Sequence, residues 1–316
     1  MVSRAAAALL KQLTAEGVSP WIVFSRPEQI EDEPLDDLLD GHFHGAVLPA
    51  GSTEAQVRRV CDALLPLFTD SEGMAGQVSV PMARRLAEDA ESQYAGARML
   101  HSAVHRSNLM VRIPMTAEGL KAFADCLADG IGVDAAAVFS TERYDEVLDA
   151  YYDGMERALV AGRHLAHIPV ETTCPVGMLD RAVETRLDQL GIVADHEARG
   201  TAGLAMARRM FRLREGRLAQ EWWRVLRAAG AVPPRLLWTG GDRRSVSDLV
   251  GWHTAHALSL ETLEEAADGP GLRGDTLMNS DTEGRRTLQS LVRLGVPVNE
   301  VTDALEAAGH SHLQRD

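Results

Sequence analysis

Lysine is the residue this chain most lacks. Of its 32 basic residues only Lys11 and Lys121 are lysine, the rest being arginine. Amine chemistry therefore has few side chains to draw on. Cysteine is also sparse: Cys61, Cys126 and Cys174 are odd in number and far apart, which excludes a disulfide framework and a thiolate zinc cluster. No run of 18 apolar residues occurs, which argues against a membrane-spanning helix. The N-terminus lacks the basic flank, apolar core and cleavage site of a signal peptide, so the expected location is the cytoplasm. Positive charge is in deficit as well. A net charge of −14 argues against binding to nucleic acid or to an anionic membrane surface.

What is present describes an ordinary globule: 316 residues, 45% hydrophobic and 25% charged, long enough for a sizeable core. Short apolar runs alternate with helical patterns along the whole length. Strands are expected at Trp21–Ser25, Gly45–Leu48, Gly76–Val80, Asn108–Thr116, Ile131–Phe139, His167–Thr173 and Pro234–Thr239, with an eighth inside Val246–Leu258. Helices are expected between them, among them 3–16, Asp32–Leu39, Gln56–Leu67, Met82–Val104, Ala117–Ala128 and Thr141–Ala161. Strands alternating with helices imply a parallel sheet, and eight such units imply a closed α/β barrel, the (β/α)8 or TIM barrel. No low-complexity linker interrupts the pattern, so residues 1–316 are expected to form one domain.

The fourth expected strand, Asn-Leu-Met-Val-Arg-Ile-Pro-Met-Thr over Asn108–Thr116, carries a charge inside an apolar run. Arg112 must either be paired in the interior or point into a polar cavity at the strand's end. In a parallel barrel that end is where chemistry sits.

This stretch resembles the Asn-Leu-Met-Ile-Lys-Ile-Pro-Ala-Thr strand of the transaldolases, particularly the actinobacterial type. The resemblance runs along nearly the whole chain, through Ser140–Glu142 with Arg143, Tyr144 and Tyr151, through Ala198-Arg-Gly-Thr-Ala-Gly, and through Trp222–Leu237 and Val301-Thr-Asp-Ala-Leu-Glu. It implies a single barrel of the class I aldolase type. In the family the strand's lysine forms a Schiff base with a ketose phosphate. Arg112 stands at that position, and a guanidinium stays protonated and offers no nucleophilic lone pair.

Other family positions differ as well. Trp21-Ile-Val-Phe-Ser-Arg lacks the family's acid/base Asp, and Val47-Leu-Pro-Ala replaces Thr-Thr-Asn-Pro. Pro81 stands where the resemblance places the Glu that orders the catalytic water. Asp134 replaces an Asn and Ala136 a Thr. Thr173 matches a family Ser, whereas Met178 replaces a phosphate-binding Arg, removing a bidentate clamp. The chain stops at Asp316, short of the family's final helix, which implies a less covered mouth.

The candidate catalytic residues are thus Arg112, Asp134, Glu171 and Thr173. Arg112 and Asp134 are expected on neighbouring strands, as a charge-assisted pair holding a polar ligand or as a structural ion pair. Strand alternation points Glu171 and Thr173 to one side, and the resemblance implies that this side is inward, since Thr173 matches an inward family position. There Glu171 acts as a general acid or base near Asp134, or is salt-bridged to Arg112. Cys174 has no histidine partner identifiable from spacing.

Candidate ligand-binding residues are Ser25 and Arg26 at the rim, and Arg243 and Arg244 after the seventh strand, meeting an anion or simply solvated. His253 and His256, three residues apart, share a face if helical; no third ligand can be named, so no metal is assigned, and no cofactor is expected. His42 and His44 alternate on a strand-like segment and carry no assignment. Lys11 and Lys121 fall on helices outside the barrel. The leading functional expectation is a repurposed barrel enzyme (lyase, cyclase or isomerase) acting on a small metabolite without a Schiff base. The alternative is a non-catalytic homologue binding a ligand or a partner enzyme, with a homodimer as a further expectation. Residual transaldolase activity ranks last.

Overall fold

In the computed structural model, residues 2–32, 35, 39, 42–82, 89–193 and 196–309 are described. Eight parallel strands close in sequence order, β1 pairing with β8 to complete the barrel. They are β1 (Val18–Val23), β2 (Gly45–Val47), β3 (Gln77–Pro81), β4 (Leu109–Pro114), β5 (Gly132–Ala136), β6 (Val170–Cys174), β7 (Arg235–Trp238) and β8 (Thr254–Leu258). The expected (β/α)8 class and the first seven strand positions agree with this. The eighth segment divides differently, into a short helix at Arg243–Asp248 and a strand that begins only at Thr254.

Several helices start where a hydroxyl or carboxylate cap precedes an apolar face. Around the barrel run α1 (Arg4–Ala15), α2 (Glu28–Asp32), α3 (Glu54–Asp70), α4 (Ala90–Val104), α5 (Ala117–Ala128) and α6 (Thr141–Val160). They continue with α7 (Val176–Gln189), α8 (Ala202–Leu218), α9 (Glu221–Ala228), α10 (Arg243–Asp248), α11 (Leu260–Ala267), α12 (Asp281–Arg293) and α13 (Val298–Ala307). Thr53 and Gln56 form a reciprocal capping box at α3, and Ser140 caps α6 by accepting from Arg143 N at 3.0 Å. Along α6, Tyr144, Val147, Leu148, Tyr151 and Met155 recur at helical spacing and bury one face in a large apolar cluster. The expected helix over Asp32–Leu39 falls largely outside the described residues, as does the start of that over Met82–Val104, which is seen from Ala90.

Two apolar clusters fill the space between strands and helices, and a third lies inside the barrel. The inner cluster joins Trp21, Val47, Met110, Leu237, Ala255 and Ala257. Trp21 lies over Gly45, where a Cβ would come within 2.3 Å of the indole. Any other residue at position 45 would push that ring out of the barrel's axis. At the far end of the chain, Glu306 of α13 accepts from Phe139 N and Ser140 Oγ, and Gly309 lies against Pro114 and Ala137. The helix thereby reaches the ends of β4 and β5.

Candidate functional site

Strand tilt decides which inward side chains share a level. In a barrel tilted by about 36°, residues in register on successive strands step along the barrel axis rather than staying at one height. Arg112, Asp134, Glu171 and Arg235 are consecutive register partners across β4 to β7. They nevertheless divide into two separate networks.

The upper network is built on Asp134, which is completely buried. Its Oδ2 accepts from Arg112 Nε at 3.1 Å and from Ser79 Oγ at 2.5 Å, and its Oδ1 accepts from Thr173 Oγ1 at 2.6 Å. Ser79 Oγ in turn accepts from Arg112 Nε and Nη2 at 3.2 and 3.0 Å. A carboxylate only accepts hydrogen bonds, so both hydroxyl protons are committed to it. The expected Arg112–Asp134 pair therefore exists. Ser79, which lies inside the third expected strand with no role assigned there, is its third member.

Above this network opens a cavity of about 260 Å³ at the carboxyl ends of the strands. Arg112 and Thr173 form part of its floor, the hydroxyl-bearing Ser25, Ser259 and Thr262 line it, and Val23, Val47, Ala137 and Ala257 supply apolar wall. It lies just below the usual small-molecule range of about 300–1,000 Å³. Arg112 Nη1 makes no hydrogen bond among the described residues and is not enclosed, so it opens on this space. Thr239 Oγ1 is buried without a partner. Neither lysine comes near: Lys11 is exposed on α1, and Lys121 on α5 pairs with Glu118 at 3.0 Å. Phe24 packs into an outer cluster and Met178 against another, and neither they nor Met82 lines the cavity. No plug of these three side chains fills the mouth.

Several sequence expectations require correction. Glu171 does face inward, but it belongs to the lower network and bonds neither Arg112 nor Asp134. Its Oε1 accepts from Arg235 Nε at 2.8 Å and Nη2 at 2.5 Å. Arg235 also donates to Met74 O and to Gln77 Oε1, at 2.7 and 3.0 Å, and lies 5.9 Å from the Trp21 ring. Gln77 and Arg235 open their strands, so this is the amino-terminal floor of the barrel, with the inner apolar cluster between it and the mouth. Burial pushes the Glu171 carboxyl above its ordinary value against the pull of Arg235. Sealed in the floor, it cannot serve as acid or base to a ligand in the mouth. Asp134 is likewise out of reach of the cavity, its oxygens taken by three protein donors. Those bonds tie it to Arg112 and Thr173.

The remaining candidates are scattered. Ser25 lines the mouth, while Arg26 is exposed and does not. Arg243 and Arg244 border a separate cavity of about 390 Å³ between α10 and α11, together with Arg273 and Leu9, rather than the mouth. His253 and His256 do not share a helical face. His253 precedes β8 at φ +57°, edge-on to Trp252. His256 is a strand residue turned away from the interior, its Nε2 3.2 Å from Leu249 O. Burial lowers both imidazoles to about 4. Among the described residues no three His, Cys, Asp or Glu side chains gather as a metal site. Cys174 is buried and its thiol is pushed well up by that burial, which removes the thiolate a nucleophile needs.

Sequence reasoning missed Ser79, Thr239, Ser259, Thr262 and Arg235. Thr239 and Ser259 directly follow β7 and β8, and the rule that barrel chemistry gathers at carboxyl strand ends pointed to them. Arg235 carried no such signal.

These features define a (β/α)8 barrel with a hydroxyl-rich, metabolite-sized pocket at the end where barrel enzymes keep their chemistry. The family model described as Transaldolase/Fructose-6-phosphate aldolase matches residues 52–316. A protein named Transaldolase from Acidothermus cellulolyticus is 37% identical over 265 residues, 81% of this chain and 71% of that protein. One of the same name from Mycobacterium tuberculosis is 35% identical over 342 residues, 95% of this chain and 92% of its own length. The chain belongs to the transaldolase/fructose-6-phosphate aldolase family. No helix among the described residues is long and apolar enough to cross a membrane.

Proposed function

We propose that this family member holds a small hydroxylated metabolite non-covalently in its barrel mouth and acts on it without forming a Schiff base. One observation carries the reading: the side chain presented from β4 to the cavity is the guanidinium of Arg112, and no lysine lines that cavity. An always-charged guanidinium cannot form an imine, but it can bind oxygen and stabilise negative charge developing there. A lyase, cyclase or isomerase using this mouth would rely on Arg112 for that electrostatic work and on the lining hydroxyls for orientation. The non-catalytic alternative draws support from Asp134, whose carboxylate is sealed away from the ligand space.

Reduction with borohydride in the presence of fructose 6-phosphate, read by intact mass, tests the proposal. The expected result is no adduct, with the sugar lost on dialysis. A stable adduct of ketose-fragment mass on either lysine would overturn it and restore amine-based transaldolase chemistry.

A further inference from the structure

Which hydrogen-bonding groups of the mouth floor remain unspent indicates what the mouth takes. A guanidinium has five N–H donors in a rigid fork. In Arg112 the side edge is used: Nε reaches Asp134 and Ser79, and Nη2 reaches Ser79. The end-on edge, one N–H from each Nη, is left over, with Nη1 bonded to nothing among the described residues. Two parallel N–H groups match the two oxygens of a carboxylate.

Thr173 supplies the complementary half. Its one proton is held by Asp134 Oδ1, so toward the cavity it offers lone pairs only and accepts from a ligand hydroxyl. Arg112 and Thr173 bond the two oxygens of the same carboxylate, which fixes a two-donor edge beside a single acceptor.

Charge needs a separate account, because Asp134 already balances Arg112. The eight-residue helix α11 brings its amino terminus to the cavity through Ser259, its cap, and Thr262. The partial positive charge at that end favours a negative ligand.

Building on the non-covalent reading above, we propose that the mouth selects a small 2-hydroxycarboxylate, with the carboxylate on the end-on edge of Arg112 and the 2-hydroxyl donating to Thr173.

The test is isothermal titration of the intact protein with D-glycerate, D-lactate and propionate, beside dihydroxyacetone, glycerol and inorganic phosphate. Glycerate and lactate are expected to bind, propionate to bind roughly tenfold more weakly for want of the hydroxyl, and the neutral polyols more weakly still. Arg112→Lys keeps the charge but loses the fork, and is expected to weaken glycerate by at least about tenfold. Thr173→Val is expected to abolish the preference for lactate over propionate, and Thr173→Ser to restore it. Circular dichroism of each variant separates lost binding from lost fold.

The proposal is overturned if no carboxylate binds, if dihydroxyacetone, glycerol or phosphate binds as tightly as glycerate, or if Arg112→Lys binds glycerate unchanged. Tight reversible binding of a neutral ketose would sink the carboxylate assignment and leave the non-covalent mouth standing. A borohydride-trapped adduct would sink both.

Discussion

Removing the Asp134 carboxylate puts the central network to a quantitative test. In Asp134→Ala the Arg112 guanidinium, only 4% exposed, keeps its charge and loses its counter-ion, while Ser79 and Thr173 lose their acceptor. Breaking a buried pair from one side costs about 3–5 kcal/mol, because the surviving charge is left desolvated. At about 2 °C per kcal/mol for a barrel of this size, the thermal midpoint falls by about 6–10 °C. The second variant is Arg112→Met/Asp134→Ala, which removes both charges. There the remaining loss is that of two hydroxyl hydrogen bonds, each worth about 1 kcal/mol, so the double variant is expected to be more stable than Asp134→Ala alone. Circular dichroism melts at one fixed scan rate, with urea midpoints alongside, supply the comparison. If Asp134→Ala lies within about 1 kcal/mol of the parent, or if the double variant costs the sum of the singles, Asp134 is not what balances Arg112 and the account of the floor fails.

Further outcomes follow from four buried polar groups. His256 titrates near 4 in the folded chain against 6.5 when unfolded, so the unfolded state binds the extra proton first. Its contribution, roughly 3 kcal/mol, is present above about pH 6.5 and is lost as pH falls toward 4, and His256→Gln is expected to flatten that limb of a stability–pH curve. Asp180, raised to about 6 chiefly by burial, works in the opposite sense: its contribution fades as pH rises through 6, and Asp180→Asn removes that component. An acid limb unchanged in His256→Gln would refute the assignment. At the barrel floor, Arg235→Leu is expected to destabilise by about 3–5 kcal/mol by stranding Glu171. Glu171→Gln is expected to leave ligand affinity at the mouth within about twofold, because the inner apolar cluster separates the two sites; a tenfold loss measured by titration would place Glu171 back in the binding site.

The local reading of the chain succeeded where the signal is local. The start of α6 at Thr141 and the apolar run ending at Pro114 follow from short-range rules, as does the placing of Glu171 and Thr173 on one side of β6; that this side is inward came from the family resemblance. It failed where two strands must be compared in height. Glu171 looked like a neighbour of Arg112 because both are inward charges near strand ends in the sequence. Arg235 drew no attention, because a charge at the start of a strand looks like any solvated boundary residue. Whether His253 and His256 share a face stayed open because a three-residue spacing does not distinguish helix from strand over so short a segment.

Composition and strand–helix alternation alone settled that the chain has the material for one closed parallel barrel and only two lysines for amine chemistry; that Arg112 stands on the strand where an amine would be sought is what the family resemblance implies. Those properties depend on residue type and on spacing within one element. The tertiary structure alone decided that Asp134 is a buried anchor, that Glu171 pairs with Arg235 in the floor, and that Thr239 and Ser259, just past β7 and β8, line one cavity with Arg112. The reason is geometric: tilt and closure of the barrel fix the height of each inward side chain, and no single strand's sequence encodes its offset from a strand far away in the chain.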